Sequence, residues 1–272
     1  MNSQARNGQA TVVRRIASGS YMILPGRRGA SVMAATQTYA LYVESGPRLR
    51  TTMVHALDLP GCIAKGPTTE VALAGAPDAI RAYLRFLRRH GEDVEPRAHF
   101  TTRVAEHIMD GAWLGAGDPA LVFQPDLEAI SAEDVETCVR RLEAMRADLL
   151  TLVCELPLRQ MDAEPSSGRS VRAMLEHLLE SEYFYFCSAF GTLPGLSPLG
   201  AIVRQGQGDL LNWMASVRVR EIEHIRALTA AERTRAVTRW QQTWTARKGL
   251  RRMLEHEWEH LNELSNRLGQ PL

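Results

Sequence analysis

Lysine is almost missing from this chain. Of 32 basic residues in 272, only Lys65 and Lys248 are lysines, and the excess of arginine reads as a coding bias before it reads as phosphate recognition. Charge of either sign is also not in surplus: 31 acids leave a net charge of +1, which excludes the broad basic face of a nucleic-acid or membrane-surface protein. Cysteine is sparse. Cys62, Cys138, Cys154 and Cys187 stand far apart with no C-x-x-C pair, which argues against a thiolate zinc site or a disulfide framework and fits a reducing cytoplasm. No apolar run approaches the roughly 18 residues that a bilayer span needs, and YMIL at 21–24 is too short for a signal-peptide core. The first 32 residues hold several arginines and no acid, so residues 1–35 read as a disordered basic tail.

What is there is ordinary for a folded protein, with 45% hydrophobic and 23% charged residues, and the length favours about two domains. From residue 36 to 92 the pattern is strand, strand, helix. TYALYVES and RTTMVHALDL alternate partially, PGC and KGP break the second run, and VALAGAPDAIRAYLRFLRRHG is amphipathic, with Pro77 expected to end or kink its first turn and Gly91 or His90 closing it. Residues 93–130 contain one more plausible strand, HFTTRVAEHI, and otherwise read as linker. Beyond Ser131 the apolar period becomes 3.6, and four helices are expected: from Ser131 to about Leu156, from Ser170 to before Pro194, from about Asp209 to Leu228, and from about Thr245 to Leu268. The fold class expected is α+β, with a small α/β module followed by an all-α four-helix bundle over 131–272.

The chemistry concentrates in three histidines. His256 and His260 are spaced i, i+4, so both imidazoles lie on one helix face, and His177 sits at the flank of the apolar stripe of the second bundle helix. Three neutral imidazoles converging at one end of the bundle would hold a divalent metal with positions left open. Half-exposed surface histidines are the duller alternative. His256-Glu257-Trp258-Glu259-His260 also matches H-E-x-x-H formally, but only 12 residues follow and no third protease ligand is available there. Glu182 and Glu257 fall inside apolar stripes. They read either as groups that orient a ligating imidazole or accept its proton, which makes them catalytic candidates, or as core carboxylates bonded to Tyr, Trp or Arg. His224, among Glu221, Glu223 and Arg226, and the Arg140, Arg141 and Arg146 group read as solvated surface, and His55 forms no ligand spacing.

Two resemblances follow from these residues. Asp58-Leu59-Pro60-Gly61-Cys62 followed by Ala64-Lys65-Gly66-Pro67-Thr68-Thr69-Glu70-Val71-Ala72-Leu73 resembles the HicB-like antitoxin domain. GRSVRAMLEHLLESEYFY with WTARKGLRRMLEHEWEHLNEL resembles the DinB-like superfamily of metal-binding four-helix bundles, some of which are thiol-dependent transferases and isomerases. That resemblance puts the metal triad on His177, His256 and His260. It implies one divalent ion, zinc or nickel, and a low-molecular-weight thiol cosubstrate or water attacking an electrophile, in a homodimer. The alternative is a non-catalytic stress-response or protein-interaction module, whose HicB-like part docks a partner and whose metal is structural or vestigial.

Overall fold

A computed structural model describes residues 36–46, 48, 50–111, 113–196, 209–270 and 272. The basic tail expected over 1–35 lies outside them. The chain begins with β1 (Gln37–Ser45), β2 (Thr52–Ala56) and β3 (Ile63–Gly66), then α1 (Thr69–Arg89) and β4 (Phe100–Ile108). The sheet order is β3-β2-β1-β4, antiparallel except for β4, which returns parallel to β1 after the α1 crossover. The sequence reading missed β3: KGP marks the strand's end as well as a turn, and four residues carry too little alternation to announce themselves. Pro77 does not break α1, which runs as one helix from a Thr68 N-cap to His90. The bond that Pro77 cannot donate is a local loss, and core burial of Ala72, Ala76 and Ile80 on either side holds the turn in place.

Strand alternation splits β1 and β2 between two faces. Leu41, Val43, Val54 and Ala56 point one way and are buried. Tyr42 and His55 point the other way, against Phe123, where Glu44 also accepts bonds from the amides of Gly117 and Asp118. The stretch read as linker is therefore packed: a short 3-10 helix (Gln124–Leu127) presents the buried Asp126, and Phe123 is fully buried.

The helical part comprises α2 (Ala132–Val153), α3 (Leu158–Met161), α4 (Val171–Phe190), α5 (Leu210–Arg226), α6 (Ala230–Thr234) and α7 (Ala246–Leu268), with a hairpin of β5 (Ala236–Arg239) and β6 (Gln242–Thr245) before α7. The long helices α2, α4, α5 and α7 form the bundle, α7 lying against both α2 and α4. Each starts on a side-chain cap, from Ser131, Ser170, Asp209 and Thr245 respectively, and α7 stops at Gly269, whose φ of 66° closes the helix in the left-handed conformation. The hairpin was not legible, because its turn is Trp240-Gln241, both at positive φ, instead of the Asn-Gly or Asp-Gly that normally marks such a turn.

The described residues from Gln37 onward form one compact unit, and one hydrophobic cluster runs through both sheet and bundle, with a smaller one around Leu114, Leu121 and Phe123. Trp258 of α7 meets the rings of Tyr83 and Phe86 of α1 at 5.0 Å each. Arg141 of α2 grips Glu92 through two bonds of 2.7 Å, and its neighbour Arg146 is also buried, so these arginines are not the solvated face that their sequence suggested. Their partners lie too far away in sequence for local pattern to reveal. Among the described residues no helix is long and apolar enough to cross a membrane.

Candidate metal centre

α4 and α7 pack side by side, and their closest approach explains a glycine in the first turn of α7: a Cβ on Gly249 would lie 2.3 Å from that of Ala189. This contact sets the separation of the helices that carry the three histidines. His256 and His260 stack along one face of α7 with ring centroids 4.6 Å apart, and His177 of α4 faces them at 5.0 and 5.3 Å. One nitrogen from each ring falls within 4.8 Å of the others, and the Nε2 atoms of His177 and His256 are 3.2 Å apart.

The donor set fits a divalent cation. Burial, reinforced by the neighbouring His260 and Arg252, holds the His256 imidazole well below its ordinary pKa. Burial, Arg169 and His260 bring His177 down to about 4, against a smaller opposing pull from Glu259 and Glu263. Both rings are neutral at physiological pH, and neutral imidazoles offer lone pairs to a metal. Oε2 of Glu263 lies 3.0 Å from Nδ1 of His260. As an acceptor it selects the tautomer that keeps the proton on Nδ1 and leaves Nε2 bare. Glu263 was not singled out in the sequence, although its i+3 spacing from His260 was a usable signal.

Glu182 and Glu257 do not reach an imidazole by hydrogen bond; guanidinium groups take all four of their oxygens. Arg146 bonds Glu182 at 2.5 Å and Glu257 at 2.7 Å, while Arg218 bonds Glu182 at 2.8 Å and Glu257 at 2.5 Å. The remaining arginine donors reach the carbonyls of Met214 and Leu142. This ring of four residues draws one side chain from each bundle helix and is buried throughout. Of the two readings left open for these carboxylates, these contacts are those of core groups paired with arginine. Glu221 is a fifth member, fully buried and 3.7 Å from Arg218; burial, then the charge of Glu182, raises its pKa well above the usual carboxylate range.

Other residues fall outside the triad. His224 is not solvated surface: its Nε2 is buried and its ring lies against Phe186 and Phe190. Tyr185 borders His256, ring to ring at 5.7 Å, and accepts a 3.1 Å bond from Arg252. From the sheet, Lys65 at the end of β3 bonds Glu259, the residue before His260, at 2.7 Å.

Residues 141–264, which include all three histidines, match the family model described as the DinB superfamily. No curated protein matches the chain. Among solved structures the chain is similar to one described as "YfiT from Bacillus subtilis is a probable metal-dependent hydrolase with an unusual four-helix bundle topology", at 22% identity, 56% coverage of this chain, 97% coverage of that one and a TM-score of 0.42. The family match leaves the sheet outside it.

Proposed function

With a DinB-superfamily domain over residues 141–264 as the premise, we propose that the chain is an enzyme that binds one divalent metal ion, zinc or nickel, through His177, His256 and His260. The observation that carries this reading is the convergence of three imidazole nitrogens from two helices within 4.8 Å, two of the rings being held neutral. When bound, such an ion lowers the pKa of a thiol or water beside it, so that a nucleophile forms at neutral pH. The reaction class we assign is transfer of a low-molecular-weight thiol to an electrophile, with hydrolysis as the variant in which water takes the thiol's place.

The chain's own groups divide the remaining work. Glu263 orients His260 through Nδ1. Glu182 and Glu257 fix the bundle by clamping Arg146 and Arg218, so we assign them a positioning role instead of proton transfer. His177 is half-buried, which leaves the triad approachable. The four-stranded sheet is assigned to support α7 instead of docking a partner, on the strength of the pairs it makes with Glu255 and Glu259.

Elemental analysis of the purified protein and a His256→Ala variant, after dialysis against a mild chelator, tests the metal site. About one equivalent of a transition metal in the wild type and none in the variant is expected. Failure of both to retain or rebind metal would overturn the reading. Thiols and electrophiles offered together, and electrophiles offered with water alone, then separate transfer from hydrolysis.

A further inference from the structure

Four carboxylates lie in or beside the ligand-bearing stretch of α7, and the first, Glu255, is taken by His55, Arg251 and Arg252. Glu257 is taken by Arg146 and Arg218, and Glu263 by His260. Glu259 is different. It lies i+3 from His256, on the flank of the histidine face, and its charge is felt at His177. A carboxylate that swings in from that flank would be an oxygen ligand for a divalent ion held by three imidazoles, and a fourth protein ligand is what distinguishes a closed structural site from a reactive one. The carboxylate is occupied from outside the bundle: Lys65 Nζ, at the end of β3, donates to its Oε1 at 2.7 Å. Lys65 is one of only two lysines in the chain, and it reaches α7 from the sheet at a residue that lies between His256 and His260 in sequence.

We propose that Lys65 keeps Glu259 off the metal, so that the sheet preserves the open position at which thiol or water binds. This rests on the metal-site reading above. The pair is partly exposed, with 35% of the lysine side chain and 26% of the glutamate side chain accessible. A pair of that exposure contributes little to folding, so its removal leaves the fold intact and a purely structural role would move nothing at the metal. Without Lys65 the Glu259 carboxylate is left without its partner, turns to the cation, and displaces solvent from it.

Cobalt(II) reports coordination number through its visible absorption and is the probe. The metal-free wild type, Lys65→Ala, Lys65→Arg and the double variant Lys65→Ala/Glu259→Gln are titrated with cobalt, and 2-mercaptoethanol is then added. In Lys65→Ala, cobalt should bind more tightly than in the wild type. Its band should be shifted by the exchange of solvent for carboxylate, and it should no longer respond to thiol. Lys65→Arg and the double variant should behave as wild type, with melting temperatures unchanged across the set. A Lys65→Ala spectrum and thiol response equal to wild type would overturn the role of Lys65 while leaving the metal site standing. A wild type that takes up no cobalt would overturn the metal reading and this inference with it.

Discussion

Nδ1 of His55 lies 2.7 Å from Oε1 of Glu255, a residue 200 positions further along the chain, and both side chains are sealed from solvent. On the other side of the ring, Nε2 stands 3.4 Å from Glu44, an ion-pair distance without hydrogen-bond alignment. Arg251 and Arg252 also bond Glu255, and Arg251 grips Asp126 with two bonds of 2.8 Å. The buried acids Glu44, Asp126 and Glu255 balance Arg251, Arg252 and His55 only when His55 is protonated. Burial alone would depress its pKa, but Glu255 and Glu44 outweigh burial and raise it. A raised folded value means stability fully present below the ordinary histidine value of about 6.5 and lost as pH rises through the folded value. His55→Gln should therefore be less stable than wild type by about 3 kcal/mol at pH 6, with the gap narrowing at alkaline pH. Urea denaturation at several pH values checks this, and a gap independent of pH would show that His55 is neutral.

The Glu182, Glu257, Arg146, Arg218 ring is balanced without Glu221, whose carboxyl is pushed towards the neutral form by burial and then by the charge of Glu182. Glu221→Gln is expected to stay within about 0.5 kcal/mol of wild type, since it replaces one neutral group by another of like shape. Glu182→Ala should cost on the order of 3–5 kcal/mol by leaving two buried guanidinium groups to share the single charge of Glu257. Equal losses in the two variants would mean that Glu221 carries a charge.

Gly249 and Gly75 both lie inside helices, yet alanine should act oppositely at them. At Gly75 nothing lies within 4 Å of an added Cβ, and the gain in helix propensity should stabilise the protein by up to about 1 kcal/mol. At Gly249 the same gain is outweighed by collision with Ala189, an overpacking cost of about 1–3 kcal/mol that forces α4 from α7. Since His177 rides on one helix and His256 and His260 on the other, Gly249→Ala should also weaken metal binding. Thermal melts and chelator competition measure the two effects.

Removing the carboxylate that orients His260 should loosen the ion without abolishing the site. Glu263→Ala is expected to lower metal affinity about 10- to 100-fold, and Glu263→Gln, which still offers an acceptor oxygen, by less. Competition with a chelating dye reads both values, and equal affinity in Glu263→Ala and wild type would remove Glu263 from the site.

Lys248 is fully buried, with its ammonium 4.3 Å from the centre of the Trp244 ring and one bond to the Thr243 carbonyl. Burial, helped by Arg251, lowers its pKa to about 7. The unfolded chain therefore binds more protons between pH 7 and the ordinary lysine value of about 10.4, and this residue makes stability rise with pH across that window. Lys248→Met should stabilise the protein by about 1 kcal/mol at neutral pH and flatten that slope. Denaturation midpoints at pH 7 and pH 10 for the two proteins provide the check.

Much of the bundle is local physics. The 3.6-residue period and the caps at Ser131 and Ser170 are properties of short stretches of chain, and they marked the long helices to within a few residues. The i, i+4 spacing of His256 and His260 likewise put two ligands on one face before any packing was known. Which groups meet across the core is not local. The pairing of Glu182 and Glu257 with Arg146 and Arg218 joins four helices, and the reach of Lys65 to Glu259 joins a strand edge to α7. His55 carried no sequence signal because its partners stand on β1 and on α7. Burial raises the cost of every unpaired charge, so these distant residues had to find one another, and only the tertiary structure decided which ones did.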